Sequence, residues 1–387
     1  LNARAFVLKL KQIYLSRFHP LFPPYESSQE DALDWFWAAH YQAEKKKGLS
    51  GAALQSFGVE LKERIDRVAC KKERIARRRH MVPDYLHRDW SLMEIYRLEE
   101  RESGAALGER GRKFATFVEG LFDQWYQEET PPDDLIHVTC TGYVAPSGAQ
   151  KLVSKKGWGK QTTVTHAYHM GCYASMPALR MARGFLKEAG KERADIVHTE
   201  LCSLHCNPAL HNADQLVSQS LFADGAIKYS LGLEPAPQSY QLGAIAEQVL
   251  PGSTEAMTWD VVDWGFQMSL KKEIPVLIAR ALPEFAASLV GPSRWEKIRA
   301  DALFAIHPGG PKILDYVQDI LQLEDWQVED SAAVLQERGN MSSATLPHIW
   351  QRMVHSPRFR ERGSVISFAF GPGLTMCGTA MEMRCGG

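Results

Sequence analysis

From Asp134 onward the chain alternates short β-branched runs with longer stretches of helical period, and this alternation restricts the fold more than any other feature. Leu135–Thr141 (LIHVTCT), Thr162–Tyr168 (TTVTHAY), Ala194–His198, Gly225–Leu231, Ala302–His307 and Val365–Phe370 read as buried strands. Met176–Glu188 and Lys312–Leu323 read as helices between them. Such alternation implies an α/β protein with covered sheets. The first 130 residues read as mostly helical. Ser27-Ser28-Gln29-Glu30 opens a helix through Asp31–Tyr41, with Leu33, Phe36, Trp37 and His40 on one face, and Ala53–Arg79 carries a helical pattern without Pro. The Pro/Gly-rich passage Leu233–Gly252 divides the strand-bearing region, so two halves are expected, 1–232 and 233–387.

Charge excludes some classes. Forty-five Lys+Arg against 46 Asp+Glu leave a net charge of −1, which argues against a dedicated nucleic-acid binder. No run approaches the length of a transmembrane helix. Leu1–Leu15 scatters its basic residues and does not read as a signal peptide. Seven cysteines, an odd and sparse number, point to free thiols in a reducing cytoplasm. One charge run stands out: Lys62–Arg79 holds nine Lys/Arg and three acids. It is either a solvated helix face or a docking patch for a phosphorylated cofactor or an acidic carrier.

No P-loop and no nucleophile elbow is present. Three other segments carry chemistry. In His169-Met170-Gly171-Cys172-Tyr173-Ala174-Ser175-Met176-Pro177 a strand ends, a Gly–Cys turn follows and a helix begins. Cys172 then sits near a helix N-terminus, whose partial positive charge favours thiolate; the alternative is a buried structural thiol. In Phe304-Ala305-Ile306-His307-Pro308-Gly309-Gly310-Pro311 a strand delivers His307 onto a rigid loop, as a fixed functional imidazole or as a hydrogen-bonded structural one. Gly339-Asn340-Met341-Ser342-Ser343 is either a helix cap or a source of an amide donor. Cys, His and Asn together make a nucleophilic constellation.

The order of these segments, with His307 135 residues after Cys172 and Asn340 33 residues after His307, resembles the thiolase-fold condensing enzymes. Within them it most resembles the chalcone synthase-like type III polyketide synthases. Leu221-Phe222-Ala223-Asp224-Gly225-Ala226 and Phe370-Gly371-Pro372-Gly373-Leu374-Thr375 are similar to that family's Phe-Gly-Asp-Gly segment and C-terminal Gly-rich loop. Thr139-Cys140-Thr141-Gly142 and Glu200-Leu201-Cys202-Ser203 are further matching segments.

The resemblance implies a duplicated five-layer α-β-α-β-α fold and a homodimer. It implies that Cys172 takes a starter acyl group from a thioester, while His307 and Asn340 bind the thioester carbonyl. A malonyl unit then loses its carboxylate and the resulting enolate attacks acyl-Cys172. The substrates are acyl-CoA and malonyl-CoA thioesters or their acyl carrier protein equivalents. No metal or redox cofactor is required. Phe222 and Met268 match the gatekeepers between entry tunnel and cavity, and Met at the second position implies a flexible, alkyl-like chain. Thr141, Gly373 and His205 (or Leu204) match cavity positions. Ala145 and Ala369 depart from the plant enzymes. Lys72 matches a coenzyme A phosphate-binding lysine, with Arg67 nearby and Gly309 and Gly310 on the approach.

Two other outcomes stay open. One is a β-ketoacyl carrier-protein synthase III-like enzyme that condenses once, or an enzyme that joins two β-ketoacyl thioesters. The other is a metal-binding protein, suggested by the clustering of His198, Cys202, His205, Cys206 and His211, or else a non-catalytic scaffold of the same fold.

Overall fold

The computed structural model describes residues 11–358 and 363–385; the first ten residues of the stretch read for a signal peptide, and the side chain of Cys385, lie outside that description. The strands are β1 Tyr14–Leu21, β2 Tyr25–Ser28, β3 Arg77–His80, β4 Asp134–Thr139, β5 Thr163–Tyr168, β6 Arg193–Leu201, β7 Asp224–Gly232, β8 Gln238–Val249, β9 Met257–Val262, β10 Gly265–Leu270, β11 Leu303–Ile306, β12 Ser364–Gly371 and β13 Thr375–Cys385. Nine of them form one sheet, in the order β11-β12-β13-β8-β1-β7-β6-β4-β5.

The pairing pattern repeats along this sheet. β4 is parallel to β6, β6 antiparallel to β7, and β7 antiparallel to β1. Likewise β11 is parallel to β12, β12 antiparallel to β13, and β13 antiparallel to β8. Among the described residues the two sets join where Tyr14 faces Gln241 and Leu15 faces Tyr240, with the Leu242 N–H donating to Ile13 O (2.8 Å).

Side-chain alternation, with successive residues on opposite faces, then builds the layers. Ile136, Val138 and Ile196 of one set, and Leu303, Ala305 and Val365 of the other, pack into a shared core with helices Ser175–Phe185 and Thr345–Val354. Their neighbours point outward. Leu135 and Val197 meet Trp35, Phe36, Phe114 and Phe122 of helices Gln29–Lys46 and Leu107–Trp125. Phe304, Ile306, Ile366 and Phe368 meet helices Ile274–Val290 and Pro311–Leu321. The result is the helix–sheet–helix–sheet–helix stack of the thiolase fold.

Three local expectations need correction. The N-terminal region is not mostly helical, because β1 sits at the centre of the sheet. Arg17 at φ 56° and a register shift between Ser16 and His19 erase the two-residue period there. The helix expected over Ala53–Arg79 stops at Val68, and Arg77–His80 instead pairs with Tyr25–Ser28. The passage Leu233–Gly252 is mainly strand β8, bound to β13 along its length. Its turn residues, Pro235, Pro237, Pro251 and Gly252, lie at the ends.

Burial of rings sets the pH response. Among the described residues His40, His137, His198, His205, His307 and His348 are each pulled down by burial to about 3, and His80 well below 6.5. A depressed native pKa gives stability that is present above the unfolded value and lost as pH falls from 6.5 toward 3, at about 1.4 kcal/mol per unit for each ring. Burial acts oppositely on four carboxyls, raising Glu200 to about 7, Asp224 to about 6, and Asp134 and Asp330 above the usual carboxylate range, so acid relieves them. Seven rings outweigh four carboxyls. The melting temperature is expected to drop steeply from pH 6.5 toward 3, and a flat profile there would contradict neutral packing of these rings.

Candidate active site

Cys172 lies in the turn between β5 and helix Ser175–Phe185, with Pro177 in the first helical turn, where its missing N–H is harmless. Gly171 before it has φ 88°, and a Cβ there would stand 2.4 Å from Pro372 Cδ. The Gly171 N–H donates to Cys140 Sγ (3.0 Å), which fixes the peptide leading to Cys172. Gly171→Ala is therefore expected to cost about 1–3 kcal/mol through overpacking and to displace Cys172. A lower melting temperature and a less reactive Cys172 thiol check this, and no change in either would count against it.

The Cys172 thiol is 7% exposed and lies 3.7 Å from the Ser342 hydroxyl. Burial pushes it up to about 12, against the partial positive charge of the helix N-terminus that favours thiolate. His307 follows β11; its N–H donates to Phe368 O (2.8 Å), and its ring is buried. Both ring nitrogens have no hydrogen-bond partner among the described residues. Burial disfavours the charged form of each group taken alone.

Asn340 is fixed by its neighbours. Its Oδ1 accepts from the Ser342 N–H (2.8 Å), which sets the amide so that Nδ2 donates to Gly309 O (3.1 Å). Its backbone bridges the gate segment, its N–H donating to Leu221 O and its carbonyl accepting from Ala223 N–H (2.9 Å each).

Two cavities meet at Cys172. One, called the outer cavity for its place on the thioester path that the resemblance implies, is lined by Cys172, His307, Gly309, Asn340 and apolar residues including Ile274, Ile278 and Ile313. The inner one is lined by Cys172, Thr141, Cys202, His205 and Trp259 among others. Phe222 and Met268 line both, together with Cys172. Thr141 and His205 are in the inner wall, but their polar atoms are already used. Thr141 Oγ1 donates to Glu200 Oε2 (2.9 Å). His205 accepts from the Phe266 N–H at Nδ1 (3.2 Å), so its Nε2–H donates to Thr141 O (2.8 Å). Leu204 is wholly buried in the core instead. Gly373 forms a turn at φ 105°, and Pro372 rather than Gly373 lines the inner cavity. Gly310 caps helix Pro311–Leu321 and sits against Leu221.

The basic run is largely paired. Lys72 holds Glu30 (2.8 Å), Arg74 holds Asp315 (2.9 Å), Arg79 holds Glu26 (2.8 Å) and Lys62 lies near Asp34 and Asp66. Arg67 is exposed at the end of helix Gly51–Val68. The His/Cys cluster does not converge: His198 binds Ser343 and Tyr229, while His211 binds His40 and Glu44. No group of three metal-ligating side chains occurs among the described residues.

Three residues at the site had no role assigned from sequence. Ser342 is placed against Cys172 by a backbone at φ 48°, which no spacing reveals. Glu200, wholly buried, accepts from Thr141, Ser343 and the Cys140 N–H. Arg78 lay hidden within the charge run and is 1% exposed.

Residues 54–235 match the family described as "Chalcone and stilbene synthases, N-terminal domain", and residues 241–384 match its C-terminal domain. A curated relative, "Probable polyketide synthase 1" of Dictyostelium discoideum, is 28% identical over 340 residues, 84% of this chain. The chain spans only 10% of that protein's length. Two crystal structures share the fold. The C-terminal type III polyketide synthase domain of Steely1, a type I/III hybrid from Dictyostelium, aligns with TM-score 0.78 and 23% identity, covering 96% of this chain and 99% of that one. PKS-I from the brown alga Ectocarpus siliculosus aligns with TM-score 0.80 and 22% identity, covering 96% and 98%.

Proposed function

The chain belongs to the chalcone and stilbene synthase family of condensing enzymes, and from that premise we propose that it loads an acyl starter on Cys172, extends it with malonyl thioester and cyclises it to a pyrone or resorcinol-type polyketide. One observation carries this reading: Cys172, His307 and Asn340 share the outer cavity, and Cys172 opens also onto the inner one.

The steps follow from these groups. His307 takes the Cys172 proton, and Sγ attacks the thioester carbonyl. The imidazolium and the Asn340 amide donate to the oxygen as it becomes negative. The carbonyl re-forms, the CoA thiolate leaves with a proton, and the acyl group stays on sulfur. Malonyl thioester then occupies the outer cavity. Its C–C bond breaks with loss of CO₂, and the electron pair becomes an enolate held by the same two donors. The enolate carbon attacks acyl-Cys172, which releases Sγ and yields a chain longer by two carbons. Phe222 and Met268 separate the site of this chemistry from the inner cavity, where the chain accumulates and folds.

No resident metal or redox cofactor enters this scheme. Gly309, in the wall of the outer cavity, leaves room for the pantetheine arm, and Arg67 and Lys72 meet the phosphates once Lys72 exchanges Glu30 for the ligand. We assign the Cys172 half to 1–232 and the His307/Asn340 half to 233–387, working as a homodimer. No single helix among the described residues is long and apolar enough to cross a membrane. Six cysteines among the described residues are free thiols, and we place the chain in a reducing, cytoplasmic compartment.

Purified chain given paired acyl-CoA and malonyl-CoA is expected to release CO₂ and CoA and form a cyclised product. More than one CO₂ per product separates repeated extension from a single condensation. No product from any CoA, carrier-bound or β-ketoacyl thioester would overturn the reading. A further expectation concerns the gate. Met268→Phe puts a rigid ring beside Phe222, so longer starters should lose about tenfold in kcat/KM relative to short ones. An unchanged starter profile would remove Met268 from the gate.

A further inference from the structure

The inner cavity holds a buried cation whose capacity is only partly spent. Arg78 sits on β3 and is 1% exposed. Its Nη1 donates to Gln219 O (2.6 Å) and Phe222 O (3.0 Å), capping the end of helix Ala213–Leu221. Its Nε and Nη2 have no partner among the described residues. The groups acting most on it are Tyr85, Cys70 and Cys206, none of them a carboxylate. Burial lowers Arg78 to about 10, which leaves it charged at neutral pH.

His80 lies two residues on, so both side chains leave β3 on the same face. It is 1% exposed and stacks on Tyr85 at 4.3 Å. Its Nε2 pairs with Ser27 Oγ (2.9 Å), and its Nδ1 has no partner among the described residues. With the serine hydroxyl donating to Nε2, Nδ1 carries a hydrogen and becomes a second donor.

Other polar side chains of this cavity are already engaged. Gln215 donates to Met268 O, Ser218 to Asp214 O, Ser203 to Asp224 and Tyr85 to Ser203 O. No Asp or Glu lines the cavity. A buried guanidinium without a counter-ion is costly unless an anion completes it. A planar carboxylate matches the guanidinium edge.

We propose that Arg78 and His80 form a carboxylate subsite inside the inner cavity, which binds an acid group of the starter chain on Cys172 or of the product released from it. This rests on the condensing-enzyme reading and names its substrate class. The carboxylate has two possible sources: the far end of a dicarboxylic starter, or an acid group retained on the finished product.

The test has two arms on the wild-type chain. In the first, a length series of CoA half-thioesters of dicarboxylic acids competes with alkanoyl-CoAs of equal length, and acyl-Cys172 is read by intact mass. In the second, an alkyl dihydroxybenzoate competes with the matching decarboxylated resorcinol as an inhibitor. A carboxylate preference of about 10- to 100-fold is expected in one arm, and the arm showing it identifies the source. Arg78→Met should abolish the preference and Arg78→Lys should retain part of it, with melting temperatures reported because Arg78 also caps a helix. His80→Phe, which leaves that cap intact, should weaken the preference. Equal handling of charged and neutral members in both arms, with Cys172 still acylated, overturns the subsite and leaves the condensing reading standing. Failure of every thioester to acylate Cys172 removes that reading and the subsite with it.

Discussion

Cys172→Ala is expected to abolish product, with a loss of about 10⁴- to 10⁶-fold, the scale seen when a covalent nucleophile is removed. The loss should fall on kcat rather than on folding. Removing one sulfur from a site 7% exposed leaves a small void, and the Ser342 hydroxyl loses only a weak contact at 3.7 Å. Melting temperature should therefore move little while starter loading vanishes. A separate residual is informative. His307 and Asn340 remain, so malonyl thioester can still lose CO₂ without condensing. A variant that decarboxylates but makes no product fits the scheme. A variant that makes product at the wild-type rate excludes Cys172 as the acyl carrier.

His307→Ala and Asn340→Ala should each lower turnover by about 10²–10³-fold, since each removes one donor to the developing negative oxygen. They should differ in pH behaviour. In the proposed scheme His307 takes the Cys172 proton, and burial opposes a lone thiolate and a lone imidazolium alike. In His307→Ala, alkylation of Cys172 should require a higher pH than in the wild type. In Asn340→Ala the alkylation profile should stay close to wild type while decarboxylation slows. Identical profiles for all three proteins would remove His307 from any role in ionising the thiol. Asn340 also bridges the Phe222 segment through its backbone, and the alanine variant preserves that bridge.

Much of the fold was legible because its signals are local. The runs at 135–141, 194–198 and 365–370 are short and β-branched, and they became β4, β6 and β12. Pro177 and Pro308 marked the turns that carry Cys172 and His307. What stayed hidden depends on distant contacts. β1 is recognisable as a strand only beside β7 and β8, because its bulge at Arg17 breaks the alternation. Strand β8 was obscured by the prolines at its ends. Helical period in 53–79 continued past Val68 because charged residues fit a solvated helix and an exposed strand equally well. Arg78 shows the limit most clearly: one of nine basic residues in a run, it alone is drawn into the inner cavity, through carbonyls that lie 141 and 144 residues away in sequence. Ser342 is of the same kind, visible in sequence as part of a cap and placed against Cys172 only by the fold.

The most direct test of the central claim is intact-protein mass spectrometry after mixing the chain with acyl-CoAs, followed by peptide mapping and a chase with malonyl-CoA. The expected result is one acyl mass gain, mapped to Cys172, that disappears on the chase as a cyclised product is released. An acyl group found on another residue, or an adduct at Cys172 that malonyl-CoA never discharges, would contradict the account.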